Sequence, residues 1–180
     1  NIFSREEIKL LYLNKQLDFQ VKNENNGKTL YVKYLIAGKV RNSSLKKYLD
    51  EIIGDFESEG DFDPSNIEFI IVLDHKINDS LEKMIDYFYF QKNIYINLFP
   101  IDSIRINLTK HHLVPEHVKI ETDIFQKLKK KFNLNSRYQL PIINRKDIIA
   151  KYIGLKPGEI CKIVRPSITS GEYTAWRCCK

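Results

Sequence analysis

Apolar positions first recur at helical spacing. Ser4-Arg5-Glu6-Glu7 has the form of a capping box, in which Ser4 and Glu7 satisfy each other's end of the first turn. Ile8, Leu11 and Tyr12 follow on one face, which predicts a helix over residues 4–15. Asn23 to Lys28 is a polar turn, and the aromatic and β-branched run Leu30 to Ile36 reads as a strand. Ser43 or Ser44 is placed to cap a second helix, whose apolar face carries Leu45, Leu49, Ile52, Ile53 and Phe56. Gly54 to Pro64 is acidic and contains glycine, the composition of a loop. Ile67 to Leu73 is almost wholly apolar, as expected of a strand covered on both faces. Asp79 and Glu82 then open a helix with Leu81, Met84, Ile85 and Phe88 on one side, and Asn93 to Phe99 returns to strand character. Strand–helix–strand–helix–strand is the order of an α/β domain, and this one is expected to end near Lys110.

The remaining pattern describes a smaller α+β unit. Thr122-Asp123 starts a helix that runs to Phe132, with Ile124, Phe125, Leu128 and Phe132 on one face. A short helix from Asp147 to Ile153 is ended by Gly154, and Lys156-Pro157-Gly158 is turn chemistry. Glu159 to Arg165 and Tyr173 to Cys178 read as two strands joined by residues 166–171. The sequence therefore divides into residues 1–110 and residues 111–180.

Composition narrows the class. With 43% hydrophobic, 12% aromatic and 29% charged residues over 180, the chain has the make-up of an ordered protein and not of a disordered tail. No apolar run reaches the roughly 18–20 residues needed to span a bilayer, and no membrane partner is expected. The chain opens on Asn1-Ile2-Phe3-Ser4 without a basic-then-apolar leader, and a short preceding piece is expected to be missing. Cys161, Cys178 and Cys179 form no CxxC pair and read as reduced, apolar-like side chains. The net charge of +6 hides an asymmetry: residues 1–100 balance to −3 and residues 101–180 to +9. A basic second half faces either nucleic acid or an acidic partner, and charge alone does not choose.

The search for chemistry returns one catalytic candidate. Asp74-His75-Lys76 closes the buried strand, with Asp63 upstream, which is the outline of a metal-dependent nuclease site. Carboxylates at 63 and 74 would hold Mg²⁺ and Lys76 would orient water. Against it, a strand end in a soluble domain is ordinarily charged and the pattern is short. His111, His112 and His117 fit no familiar zinc spacing, so no metal or cofactor is expected. The seven glycines are scattered with no phosphate loop, and no serine or cysteine sits in a nucleophile elbow. Lys127, Lys129, Lys130 and Lys131 read as the solvated side of an amphipathic helix, with phosphate contact as the alternative. This profile favours binding or assembly over catalysis. A free-standing nucleic-acid-binding module built on the basic half is a third reading.

The second half then ceases to be generic. His112-Leu113-Val114-Pro115-Glu116-His117-Val118, Gln139-Leu140-Pro141 and the segment Ala150 to Gly158 stand in order along it. Lys162-Ile163-Val164-Arg165-Pro166-Ser167 closes the chain, followed by Thr169, Gly171, Tyr173 and Arg177. Together these segments resemble the fifth subunit shared by eukaryotic nuclear DNA-directed RNA polymerases, and its smaller archaeal counterpart. Residues 1–110 resemble the same family's jaw domain more weakly.

The resemblance implies a jaw domain of restriction-endonuclease-like α/β topology without catalysis, followed by a small α+β assembly domain. It implies a non-catalytic polymerase subunit that anchors to the largest subunit and forms the lower jaw near downstream duplex DNA, with other polymerase subunits and transcription factors as partners. Arg165, Ser167, Thr169, Gly171, Tyr173 and Arg177 are its expected contacts to the largest subunit. On this reading Arg165-Pro166 ends a strand, Ser167 and Thr169 satisfy loop backbone, and Gly171 permits a positive φ or a close approach. Tyr173 and Arg177, four apart on a strand, share a face. Pro115, Glu116 and His117 form the expected rigid junction between domains. The loop containing His75, Lys76 and Asn78 is the expected DNA-proximal element. There the family's Thr-Pro-Ser-Ala is replaced by Ile77-Asn78-Asp79-Ser80, and the N-terminal helical region is shortened. The AT-rich residue bias and divergent first half suggest a large cytoplasmic DNA virus, asfarvirus-like. That would place the protein in host cytoplasm and virion; a cellular copy would be nuclear.

Overall fold

The computed structural model describes residues 4–14, 16–24, 27–36, 38, 40–58, 63–64 and 66–180. The chain's opening residues and the centre of the acidic loop, 59–62, lie outside the described residues. Two compact units divide between Arg105 and Ile106, a few residues ahead of the division expected near Lys110.

In the first unit, α1 (Arg5–Leu13) is capped as its sequence requires: Ser4 Oγ accepts from Glu7 N at 3.2 Å and Ser4 N donates to Glu7 at 2.6 Å. A four-stranded sheet follows in the order β1 (Phe19–Lys22), β2 (Thr29–Leu35), β3 (Ile67–Leu73) and β4 (Tyr95–Pro100). β1 is antiparallel to β2, whereas β2, β3 and β4 are parallel. Helix α2 (Asn42–Ser58) links β2 to β3, and α3 (Asp79–Lys92) links β3 to β4. The strand order follows the chain, and the two crossover helices pack on the face of the sheet that carries the odd-numbered residues of β3. Leu45, Leu49 and Ile53 of α2 and Leu81, Ile85 and Phe88 of α3 accordingly share one buried cluster with Phe69, Ile71 and Leu73 of β3.

Two expectations for α2 are corrected. Leu45 N already bonds Arg41 O at 3.0 Å, so the helix begins at Asn42, and Ser43 and Ser44 lie in its first turn instead of capping it. Nor does a loop begin at Gly54, which the helix passes to reach Ser58. Ile53 is buried, and the Phe56 ring meets Tyr31 and Phe69 edge-on at 6.1 Å each, packing that outweighs glycine's penalty of about 1 kcal/mol in a helix. β3 is covered on both faces only in its last three residues; Glu68 and Ile70 are half-buried. A short helix α4 (Ile101–Ile104) follows β4 directly.

The second unit is built on β5 (Glu116–Lys119), β6 (Ile142–Ile143), β7 (Ile160–Ser167) and β8 (Gly171–Cys179), in the sheet order β5-β7-β8-β6. Each face carries its own core. Phe125 and Leu140 pack with Ile160 and Cys178 on the side of α5 (Thr122–Lys131). Ala150, from α6 (Ile148–Tyr152), and Leu155 pack with Cys161, Ile163 and Cys179 on the other. The three cysteines are free and buried; burial pushes the Cys179 thiol up to about 11 and raises those of Cys161 and Cys178. Asp147 caps α6 and Gly154 follows it at φ 62°. Lys156 to Glu159 is a turn closed by Glu159 N on Lys156 O at 3.0 Å, with Gly158 at φ 82° in the third position.

Candidate functional site

The end of β7 is the place where the second sheet stops supporting itself. β5 pairs with β7 only as far as Glu116 opposite Val164. The β7–β8 ladder continues three pairs further, through Arg165–Tyr173, Pro166–Glu172 and Ser167–Gly171. The expectation that Pro166 ends the strand is thus corrected, and the register explains why. Ile160 O accepts from Ile120 N, so the even-numbered residues of β7 turn their backbone groups toward β5. At position 166 the missing N–H falls beyond the end of β5 and costs no ladder bond. The connection shrinks to residues 168–170.

What results is a two-stranded ribbon overhanging the sheet. Its turn is held locally: Ser167 Oγ lies 3.3 Å from Thr169 Oγ1 and accepts from Ser170 N at 3.4 Å. Gly171 sits at φ 72° with nothing within 4 Å of where a Cβ would stand, so it is needed for its backbone conformation and not for space. Arg165 and Tyr173 are directly opposed, and odd-numbered residues of both strands share a face, so Arg165, Tyr173 and Arg177 lie along one side. Tyr173 is more than half exposed and Ile168, at the tip, is fully exposed. Arg177 differs from its neighbours: its guanidinium donates to Ile142 O at 3.1 Å and ties β6 to β8. Ile168 is absent from the residues that the sequence singles out. The available signal was an apolar β-branched residue at the centre of the polar turn Ser167-Ile168-Thr169-Ser170.

Pro115, Glu116 and His117 do not lie between the two units. They fall inside the second, where Glu116 and His117 begin β5 and His117 Nδ1 donates to Pro115 O at 2.8 Å.

The nuclease outline is not assembled. Asp63 precedes β3 and Asp74 follows it, so the two carboxylates stand at opposite ends of a seven-residue strand, about 20 Å apart along it. Asp63 accepts from Asn66 Nδ2 at 2.8 Å. Asp74 accepts from Gly38 N at 3.1 Å and from His75 Nδ1 at 2.9 Å, and the His75 bond above all holds its carboxyl below the usual range. These contacts tie β3 to the loop after β2, a structural use of the charged strand end. Among the described residues no cluster of His, Cys, Asp and Glu is arranged to hold a metal. In the expected DNA-proximal loop, Asn78 is occupied as the cap of α3, accepting from Leu81 N at 2.9 Å, and the exposed Lys76 stands between the exposed carboxylates of Asp74 and Asp79.

Comparison with known proteins bears on the same region. Residues 106–179 match the family described as RNA polymerase Rpb5, C-terminal domain, and the match begins where the second compact unit begins. The chain is 32% identical over 164 residues to the rpabc1 subunit of DNA-directed RNA polymerases I, II, and III from Dictyostelium discoideum, an alignment covering 88% of this chain and 76% of that protein. It is also 32% identical over 109 residues to subunit 5A of DNA-directed RNA polymerase V from Arabidopsis thaliana, covering 61% and 47% respectively. A likeness of this extent to the first of these, reaching well beyond the C-terminal match, settles the family: the chain belongs to the Rpb5 family of DNA-directed RNA polymerase subunits.

Proposed function

We propose that this chain acts by position, as the non-catalytic fifth subunit of a multisubunit DNA-directed RNA polymerase. Its second unit anchors to the largest subunit, and its first unit, with a restriction-endonuclease-like topology, serves as the lower jaw beside downstream DNA. The observation that carries the anchor is the overhanging β7–β8 ribbon. A two-stranded ribbon is marginal in water on its own, yet this one holds Ile168 and Tyr173 in solvent. Burying such residues in a partner is worth about 1.5–3 kcal/mol apiece, and the opposed Arg165 and Tyr173 are of the types that dominate interfaces. Ser167, Thr169 and Gly171 shape the turn that presents them.

The jaw's action is support of the cleft more than grip on the duplex. Phosphate contact favours cations, and the first half of the chain balances to −3, with the exposed Lys76 of the candidate loop flanked by exposed Asp74 and Asp79. Transcription factors are the remaining partner class for the jaw surface. The viral source rests on the residue bias and the divergent first half; it would put the subunit in host cytoplasm and virion, and a cellular source in the nucleus.

The test is a tagged pull-down from the native source, with the polymerase intact in the extract. Stoichiometric recovery of the two large subunits is expected, falling at least ~10-fold for Ile168→Asp combined with Tyr173→Ala, as the loss of two central contacts would give. Recovery of the unaltered chain alone would overturn the proposal.

A further inference from the structure

Helix α5 buries one side and leaves a second, chemically distinct side uncovered. Phe125 and Leu128 are turned into the core. Lys127, Lys130 and Lys131 fall at i, i+3 and i+4 on the outer side, all exposed, within about 6 Å of helix length. Like charges at these spacings repel, and no ion pair relieves them among the described residues, although Asp123 stands one turn before Lys127. The helix C-terminus accounts for cations in its last turn, but Lys127 lies before that turn. The lysines are bordered by two large apolar side chains left in solvent, Ile124 at 40% and Phe132 at 49% exposure, with Lys131 Nζ 5.5 Å from the Phe132 ring centre.

We infer that this face of α5 is a docking surface for an acidic polypeptide segment that also carries large apolar residues. Charge complementarity selects an anion, and the apolar border selects between anions. A phosphate backbone offers nothing to bury against Ile124 and Phe132, whereas a segment of Asp and Glu interspersed with Phe or Leu satisfies both parts of the surface. The inference goes beyond anchoring to the polymerase. Within the second unit α5 packs on the Phe125 side of the sheet, while Arg165 and Tyr173 follow the register of Cys161 and Ile163 on the other. A partner held at the ribbon's Arg165–Tyr173 side therefore leaves the lysines open.

Fluorescence anisotropy on the full chain tests it, with three labelled probes at one salt concentration. These are a synthetic Asp/Glu peptide with interspersed Phe and Leu, the same peptide with Ser in place of Phe and Leu, and a mixed-sequence DNA duplex. The first probe should bind tightest. Lys127→Glu/Lys130→Glu/Lys131→Glu should weaken it at least ~10-fold, and the corresponding Gln variant less but in the same direction. Removing three lysines elsewhere, by Lys83→Gln/Lys110→Gln/Lys180→Gln, should change binding less than about twofold. Circular dichroism establishes that each variant is folded. Equal losses from both lysine sets, equal binding of the Ser-substituted peptide, or tighter binding of the duplex would each overturn the inference.

Discussion

Lys33 shows what a single residue contributes that its position in a strand pattern conceals. It sits in the middle of β2, almost fully buried, where an ammonium without a partner would be strongly destabilising. Asp18 supplies the partner: its carboxylate takes the Lys33 ammonium and also accepts from Tyr34 N at 3.1 Å, while the Tyr48 ring lies 5.1 Å from Lys33 Nζ. Burial raises the Tyr48 phenol's pKa, which keeps that neighbour neutral. Removing one member of such a pair costs more than removing both, because the survivor stays buried and charged. Asp18→Ala is therefore expected to destabilise the first unit by about 3 kcal/mol, and Asp18→Ala/Lys33→Met to recover most of the loss. Urea unfolding followed by circular dichroism measures both; a double variant as unstable as the single one would show that the pair is not the cause.

At the scale of elements, the expected rigid junction becomes part of a sheet. A rigid junction at Pro115 would make Pro115→Gly loosen the two domains relative to each other. With Pro115 leading into β5 and its carbonyl held by His117, the substitution instead raises the unfolded-state entropy of the second unit. A loss of about 1 kcal/mol is expected in that unit's unfolding transition, with none in the first unit's; tryptophan fluorescence follows the second unit, which holds Trp176. Elements that declare themselves in local pattern were legible: the α1 capping box, the apolar run of β3, the Asp147-to-Gly154 helix and the Pro157-Gly158 turn. Those that exist only through pairing were not. β1 is four exposed residues, Phe19 to Lys22, and β5 reads Glu-His-Val-Lys. β1 does alternate, as Phe-Gln-Val-Lys, but over only four residues, about the shortest run such a pattern can carry; β5 does not alternate clearly, and β6 is only two residues long. The Asp63–Asp74 outline misled for the related reason that spacing along a chain does not reveal which end of a strand each residue occupies. The candidate anchor, by contrast, was legible as residues, while its overhanging geometry and the exposed Ile168 required the register of three strands.

The whole molecule combines two units with separate cores and opposite charge. The first buries its apolar residues between helices and a mostly parallel sheet, and the second packs both faces of an antiparallel one, closed by β6 in parallel. Residues 106–180 keep their entire sheet when the first unit is removed, since all four of its strands lie within them. That fragment should therefore unfold cooperatively on its own. If anchoring resides in the ribbon, it should also recover the largest polymerase subunit as well as the full chain does, and residues 1–105 should not. Parallel pull-downs with the two fragments and the full chain distinguish the cases. Equal recovery by residues 1–105 would move the anchor to the first unit. A folded second unit that recovers nothing would mean that the polymerase reads both units together, and that the ribbon's exposed residues serve another contact.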